Sequence, residues 1–234
     1  MRGQDVVICM VGGQASGDQN VLIDAALAAG VKRFIPSEFG PYSPDPQLQA
    51  INPHTNVAKT KTVEYLKRAQ DRMSWTSLVT GGFFDWAMKV GFFGFDLQNQ
   101  TVGLIDDGTQ VFTATLLSTI GRALIAVLEH AGETRNQYVI VSSFNVSQRD
   151  ILEVLERVSN KTWNVEHLDS DAVIANGERR LQEGDFAGIM DLTRGAAFGK
   201  RGRGHERKRG FWNDRLGLPE DDFEEAVRQV LQEV

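Results

Sequence analysis

The chain has 234 residues, room for one large domain or two lobes around a sizeable core, and its 41% hydrophobic and 24% charged residues are an ordinary globular mixture that excludes a disordered chain. A net charge of −6 argues against a general polyanion binder, and Cys9, the lone cysteine, excludes an intramolecular disulfide and favours a reducing compartment. No apolar run approaches the ~18 residues of a membrane span and no basic leader precedes one, so cytoplasm is the expected location and no membrane partner is expected.

In chain order, Asp5 to Val11 is an unbroken apolar run of strand length, with Cys9 as a core thiol inside it. Gly12-Gly13-Gln14-Ala15-Ser16-Gly17 then turns into a helix from Asp18, its cap, to Ala29. This turn either brings the N–H groups of Gly12 and Gly13 to a phosphate or ribose or is simply a tight connection. Its G-G-x-x-x-G pattern is not the G-x-G-x-x-G dinucleotide fingerprint. Gly30 suits the helix end, Val31 to Ile35 read as the next strand, and Pro36 stops it, which completes a βαβ unit. Ligands of open α/β sheets gather beyond the carboxyl ends of parallel strands, so Pro36, Ser37 and Glu38 stand at an expected binding edge; the alternative is an ordinary surface loop.

The run from Val31 to Gly40, V-K-R-F-I-P-S-E-F-G, resembles the signature of the NmrA-like, isoflavone reductase-like branch of the atypical short-chain dehydrogenase/reductases, and Asp5-Val6-Val7-Ile8 fits the strand before it. The resemblance continues through Lys61 and Thr113 to Arg122 and on to the C-terminus, and the chain is similar to fungal CipA-type oxidoreductases. It implies an α/β fold with a Rossmann-like parallel sheet and a smaller mixed α/β substrate lobe. It also implies NADPH as cofactor and reduction of a small aromatic or phenolic substrate. Relatives open with a strand, a G-x-x-G-x-x-G turn, a helix and a second strand that selects the 2′-phosphate, whereas the first strand here corresponds to the family's fourth. The expectation is a truncated sheet, from a fragment or an incomplete gene model, with the Asp5 to Val11 edge unpaired. Residues 1–90, with return elements at about 115–145, are expected to form the cofactor lobe, and 91–114 with 146–234 the substrate lobe.

Pro41 to Thr55 carries four prolines and reads as a long loop, either a lid or a surface excursion. Asn56 is the expected cap of a helix running through Lys61, Val63 and Leu66 to about Gln70. By spacing alone Lys61 is one of several solvated helix lysines. Counted back from the strand Trp75 to Thr80, the resemblance places Lys61, and not Lys59 or Lys67, on the lysine that the family uses as general acid or base. Tyr65 is followed four residues later by Ala69, so the Tyr-x-x-x-Lys pair is missing and a lone-lysine mechanism is expected. Such an ammonium stabilises the negative charge that hydride transfer builds on an oxygen. Gly81, Gly82 and Phe83 leave the end of the strand, and the resemblance sets Phe83 against the nicotinamide with Gly81-Gly82 where many relatives carry Asn-Cys or Asn-Asn. Phe84, Trp86, Met88 and Phe92 are expected to line a pocket for a flat apolar substrate; the alternative is a core helix and packed loop.

Thr101 to Ile105 and Gln110 to Thr113 flank Asp106-Asp107-Gly108-Thr109, a hairpin signal. A helix from Thr115 to Glu129, a strand from Tyr138 to Ser142, a helix capped by Ser147, a strand from Trp163 to Leu168, and helical stretches from Asp169 to Met190 and Asp221 to Leu231 follow. Lys200 to Gly210 holds six basic residues against one acidic, either a phosphate-contacting patch or a solvated, glycine-broken loop. The second is expected because no aromatics interleave, so nucleic acid is not an expected partner. The four histidines lack ligand spacing, so no metal is expected, and no G-x-S-x-G or Ser/His/Asp arrangement supports a hydrolase. The rival to an enzyme is an NmrA-type regulator that binds a dinucleotide without turnover.

Overall fold

The computed structural model describes residues 1–233, apart from the Gln14 side chain. The first apolar run gives β1 (Val6–Ile8), shorter than Asp5 to Val11 because the chain leaves the ladder after Cys9, whose N–H still donates to Ile35 O at 2.8 Å. Next comes α1 (Gln19–Ala28). Asp18 stands at its N-cap position but caps nothing, since its φ of −98° and ψ of 10° lie outside the extended region from which a side chain reaches the first turn. β2 (Arg33–Ile35) is wholly buried. Burial of Arg33 is tolerable because its guanidinium donates to Ser74 Oγ (3.2 Å), Thr134 Oγ1 (3.0 Å) and Ala131 O (2.5 Å).

The expected loop from Pro41 to Thr55 contains two helix starts instead. Asp45 accepts from the N–H groups of Gln47 and Leu48, both at 3.0 Å, and with Pro46 opens α2 (Pro46–Ile51). Pro53 opens α3 (Pro53–Lys67), because a proline in the first turn sacrifices an N–H that had no partner anyway. Asn56 is therefore inside α3, buried, and donates from Nδ2 to Asn52 O at 2.9 Å rather than capping the helix.

The remaining elements are β3 (Ser74–Val79), β4 (Gly82–Phe83), α4 (Phe84–Lys89), β5 (Phe95–Asp96), β6 (Thr101–Ile105), β7 (Phe112–Thr115), α5 (Leu117–Glu129), β8 (Gln137–Ile140), β9 (Phe144–Val146), α6 (Gln148–Ser159), β10 (Asn164–Leu168), α7 (Ser170–Gln182), α8 (Gly188–Phe198) and α9 (Phe223–Gln232). Ser147 caps α6 through a reciprocal box with Asp150, as its sequence signals.

The main sheet has the order β1-β2-β3-β8 with every neighbour parallel, so the fold is α/β as expected. Ile23, Phe34, Val63, Leu66 and Trp75 form the core on the α1 and α3 side. Ile35, Leu78, Ile120, Leu124, Val127 and Val139 form the core on the α5 side. Burial on both sides is why all six residues of β3 are buried despite its serines and threonine. Among the described residues nothing pairs the outer edge of β1, where Ile8 is 36% and Met10 65% exposed.

The hairpin expected at Asp106 to Thr109 does not form. Its turn is present, with Gly108 N–H donating to Ile105 O at 2.9 Å, but the strands part into different sheets. β6 pairs with β10 and β5, while β7 pairs with β4 and β9. A large aromatic core joins the two small sheets to α6 and α9, built on Phe84, Phe93, Phe95, Phe112, Phe144 and Phe198.

Candidate active site

β2 and β3 end side by side, and the loops that leave them are stitched together. Thr80 and Gly81 both donate their N–H to Gly40 O, at 3.0 and 3.1 Å, and Phe39 N–H donates to Leu78 O at 3.1 Å. These bonds hold Phe39 at φ +28°, a conformation that costs a bulky residue on the order of 1–3 kcal/mol. Gly81, at φ +61°, runs so close to β7 that a Cβ there would lie 2.1 Å from Thr113 O.

A cavity of about 220 Å³ opens beyond these strand ends. Phe39, Gly40, Pro41 and Gly81 to Phe83 form its floor, with Gly13 at one side. Trp86, Phe92, Phe93 and Phe112 make an aromatic wall, Ile189, Thr193, Ala197 and Phe198 of α8 face it, and Asn52, Thr55, Asn56 and Lys59 come from the start of α3. Among the described residues of that lining, Lys59 is the only charged one.

Lys59 donates from Nζ to the backbone oxygen of Glu38, the residue two beyond Pro36. Glu38 is 1% exposed, and one of its carboxylate oxygens accepts from Ser43 N–H at 3.2 Å. Burial is the largest influence on both groups. It pulls the Lys59 ammonium below the ordinary lysine value, against the pull of the Glu38 charge, and pushes the Glu38 carboxyl above the ordinary carboxylate value, against Lys59 and Ser43.

Lys61 is exposed and does not line the cavity. Two residues are about 200° of helix, so Lys59 and Lys61 face opposite ways. The inward face of α3 is marked by Asn56, Val63 and Leu66, all buried, and Lys59 falls on it at the i, i+3, i+7 spacing. That spacing is the signal in the sequence that puts Lys59 on the inward face.

Gly13, Gly81, Gly82, Phe83, Trp86 and Phe92 do lie on the cavity. Phe84 and Met88 do not. Both are 0% exposed, and Phe84 packs edge-on against Phe144 and Phe223, because α4 turns every third or fourth residue into the core and leaves Trp86 outside it. Ser37 is also off the lining, its N–H donating to Gln19 Oε1 and its Oγ to Val11 O, both at 2.8 Å; Pro36 is buried beside it and Gly12 is exposed away from the cavity.

The basic run Lys200 to Gly210 is not a free solvated loop. Glu206, 3% exposed, accepts from Tyr42 N–H at 2.8 Å and from Arg209 Nε at 3.0 Å. Arg209 also reaches Asp45 at 2.8 Å and lies 4.1 Å over the Tyr42 ring, while Lys200 and Arg201 pair with Asp171. The run is a strap from the α8 end to the loop after β2, and it presses Gly204 onto Ala197 and Phe112, where a Cβ would come within 2.9 Å of either. Asn52, Thr55, Thr193 and Gly204 escaped sequence reasoning because chain segments far apart bring them together.

Oxidoreductase poxI of Penicillium oxalicum is 33% identical, over 99% of this chain and 76% of its own. The structure of leucoanthocyanidin reductase from Vitis vinifera in a ternary complex superposes with a TM-score of 0.73 over 97% of this chain and 78% of that one, at 19% identity. A crystal structure of isoflavone reductase does so with a TM-score of 0.71 over 98% and 75%, at 20% identity. At that distance the two structures speak for the fold alone. The profile of the NmrA-like family matches residues 1–182, from β1 to the end of α7, and with a relative one-third identical along nearly the whole length it follows that the chain belongs to the NmrA-like family.

Proposed function

We propose that the chain is an NADPH-dependent reductase of small aromatic or phenolic molecules, with Lys59 as its acid/base. The observation that carries this reading is a single, half-buried ammonium in an otherwise uncharged, aromatic cavity at the carboxyl ends of β2 and β3. The names of the relatives point the same way: one is an oxidoreductase, and among the similar structures is a binary complex of leucoanthocyanidin reductase with NADPH.

The residues present fit the nicotinamide end of such a cofactor. Phe83 offers a flat apolar side, Gly81 and Gly82 a surface without side chains, and Lys59 a donor for a ribose hydroxyl or a substrate oxygen. When bound, NADPH supplies a hydride. Lys59 stabilises the negative charge that then develops on the substrate oxygen and donates the proton that completes the reduction, a contribution of about 10²–10⁴-fold. Trp86, Phe92 and Phe93 orient the ring and exclude water, which strengthens the field of Lys59. Glu38 and Ser43 hold the loop whose carbonyl fixes Lys59 in place.

The test is NADPH oxidation with a panel of quinones, enones and phenolic substrates by Lys59→Met and Lys61→Met. Lys59→Met should lose at least about 10²-fold in kcat with cofactor affinity within a few-fold, and Lys61→Met should match the parent. The reverse order of effects refutes the assignment, and cofactor binding without turnover for every substrate favours a dinucleotide-sensing regulator.

A further inference from the structure

We propose that Asn52 and Thr55 form a hydrogen-bonding socket for a ring hydroxyl of the substrate, at the end of the cavity one to two helical turns from Lys59. Of the polar atoms shut from solvent without a hydrogen-bond partner among the described residues, two belong to residues that line the cavity: Asn52 Oδ1 and Thr55 Oγ1. Asn52 as a whole is 1% exposed. A buried acceptor left unpaired is a standing cost that native structures rarely carry without a use.

The orientation of the Asn52 amide is set by its neighbours. Thr193 spends its hydroxyl proton on Ile189 O at 2.8 Å, so Thr193 Oγ1 can only accept here, and the group that meets it at 3.0 Å must be Asn52 Nδ2. The same nitrogen lies 3.5 Å from Ile189 O. Oδ1 is therefore the free end, and it can do nothing but accept. Thr55 Oγ1 both accepts and donates, so the pair suits a hydroxyl that gives its proton to Asn52 and takes one from Thr55. A purely hydrocarbon ligand leaves both atoms as they are.

Spacing matches the rest of the site. Thr55 and Lys59 are four residues apart on one face of α3, about 6 Å along the axis, and Asn52 is about 10 Å from Lys59. A two-ring aromatic spans that distance, with its reducible group at Lys59 and its hydroxyl at the socket. The inference rests on reading this cavity as the substrate site, so its test uses binding and needs no turnover.

Isothermal titration calorimetry on the full chain would compare 2-naphthol with 2-methylnaphthalene, its near-isostere without the hydroxyl. The parent should prefer the naphthol by about tenfold, one good hydrogen bond, and Thr55→Val and Asn52→Leu should each bring the preference to within about twofold while keeping the affinity for 2-methylnaphthalene. Thermal melts check folding, and if Asn52→Leu fails them Thr55→Val alone decides. Equal affinities in the parent, a preference that survives in the folded variants, or no binding of either probe overturns the socket. A parent that prefers the naphthol yet never oxidises NADPH with any substrate refutes the reductase reading and leaves the socket standing.

Discussion

The sharpest test of how the site is built is Gly81→Ala. At φ +61° any L-residue pays a left-handed penalty of about 1–2 kcal/mol. The new Cβ would then meet Thr113 O at 2.1 Å and Thr113 C at 2.6 Å, backbone atoms with no rotamer to escape into, so β7 must retreat by more than an ångström. The parallel pairing of β4 with β7 is only two residues long and yields before the larger sheets do, an overpacking cost of about 1–3 kcal/mol. The sum is about 3 kcal/mol, or about 6–12 °C in melting temperature for a chain of this size. Urea and thermal melts followed by circular dichroism measure it, with Gly121→Ala in α5 as the control. A Cβ at Gly121 meets nothing within 4 Å, so that change should stabilise by about 0.5–1 kcal/mol. If Gly81→Ala melts with the parent, Thr113 is not a fixed wall and the reasoning fails.

Three other outcomes follow from the same geometry. On the role proposed for Lys59, reduction draws on its ammonium, so kcat should be full at low pH and fall as pH rises through the Lys59 pKa, at a break below the ordinary value of about 10.4; Glu38→Gln removes the charge that favours the ammonium and should move the break lower still, and an upward move refutes the pairing. Phe84→Ala, at a fully buried core position, should cost about 3–5 kcal/mol in a urea titration with KM unchanged in the folded fraction, whereas Trp86→Ala, 44% exposed on the cavity, should raise KM and cost about 1 kcal/mol or less. Glu206→Ala should speed hydrogen exchange at the Tyr42 amide by about tenfold or more as that N–H loses its acceptor; unchanged exchange means the strap is held elsewhere.

Much of this was legible beforehand because it is local. Gly30, Pro36 and the apolar run between them mark β2, Ser147 and Asp150 mark the start of α6, and the signature ending at Gly40 identifies the family and the edge where the cavity opens. That Lys59 rather than Lys61 lines the cavity was hard to read because α3 buries asparagine and threonine beside Val63 and Leu66, so its inward face shows only a weak apolar stripe. Asp45-Pro46 and Asn52-Pro53 were read as loop prolines, though proline is also welcome in the first turn of a helix. Asp106 to Thr109 has the chemistry of a hairpin turn, and local chemistry fixes the turn, while the partners of β6 and β7 are chosen by β10 and β9 far along the chain. Lys200, Arg201, Arg203 and Arg209 of the strap looked solvated because their partners, Asp171 and Asp45, are remote in sequence.

The cavity wall draws on residues from Gly13 to Gly204, and the pairing of β6 with β10 joins positions more than sixty residues apart. During synthesis β1, β2 and β3 can therefore assemble early, but the cavity is enclosed only after α8 and the strap have emerged. Its completion is an end point of folding, so a small molecule that occupies it acts as a sensor of the finished fold and shifts the folding equilibrium by mass action.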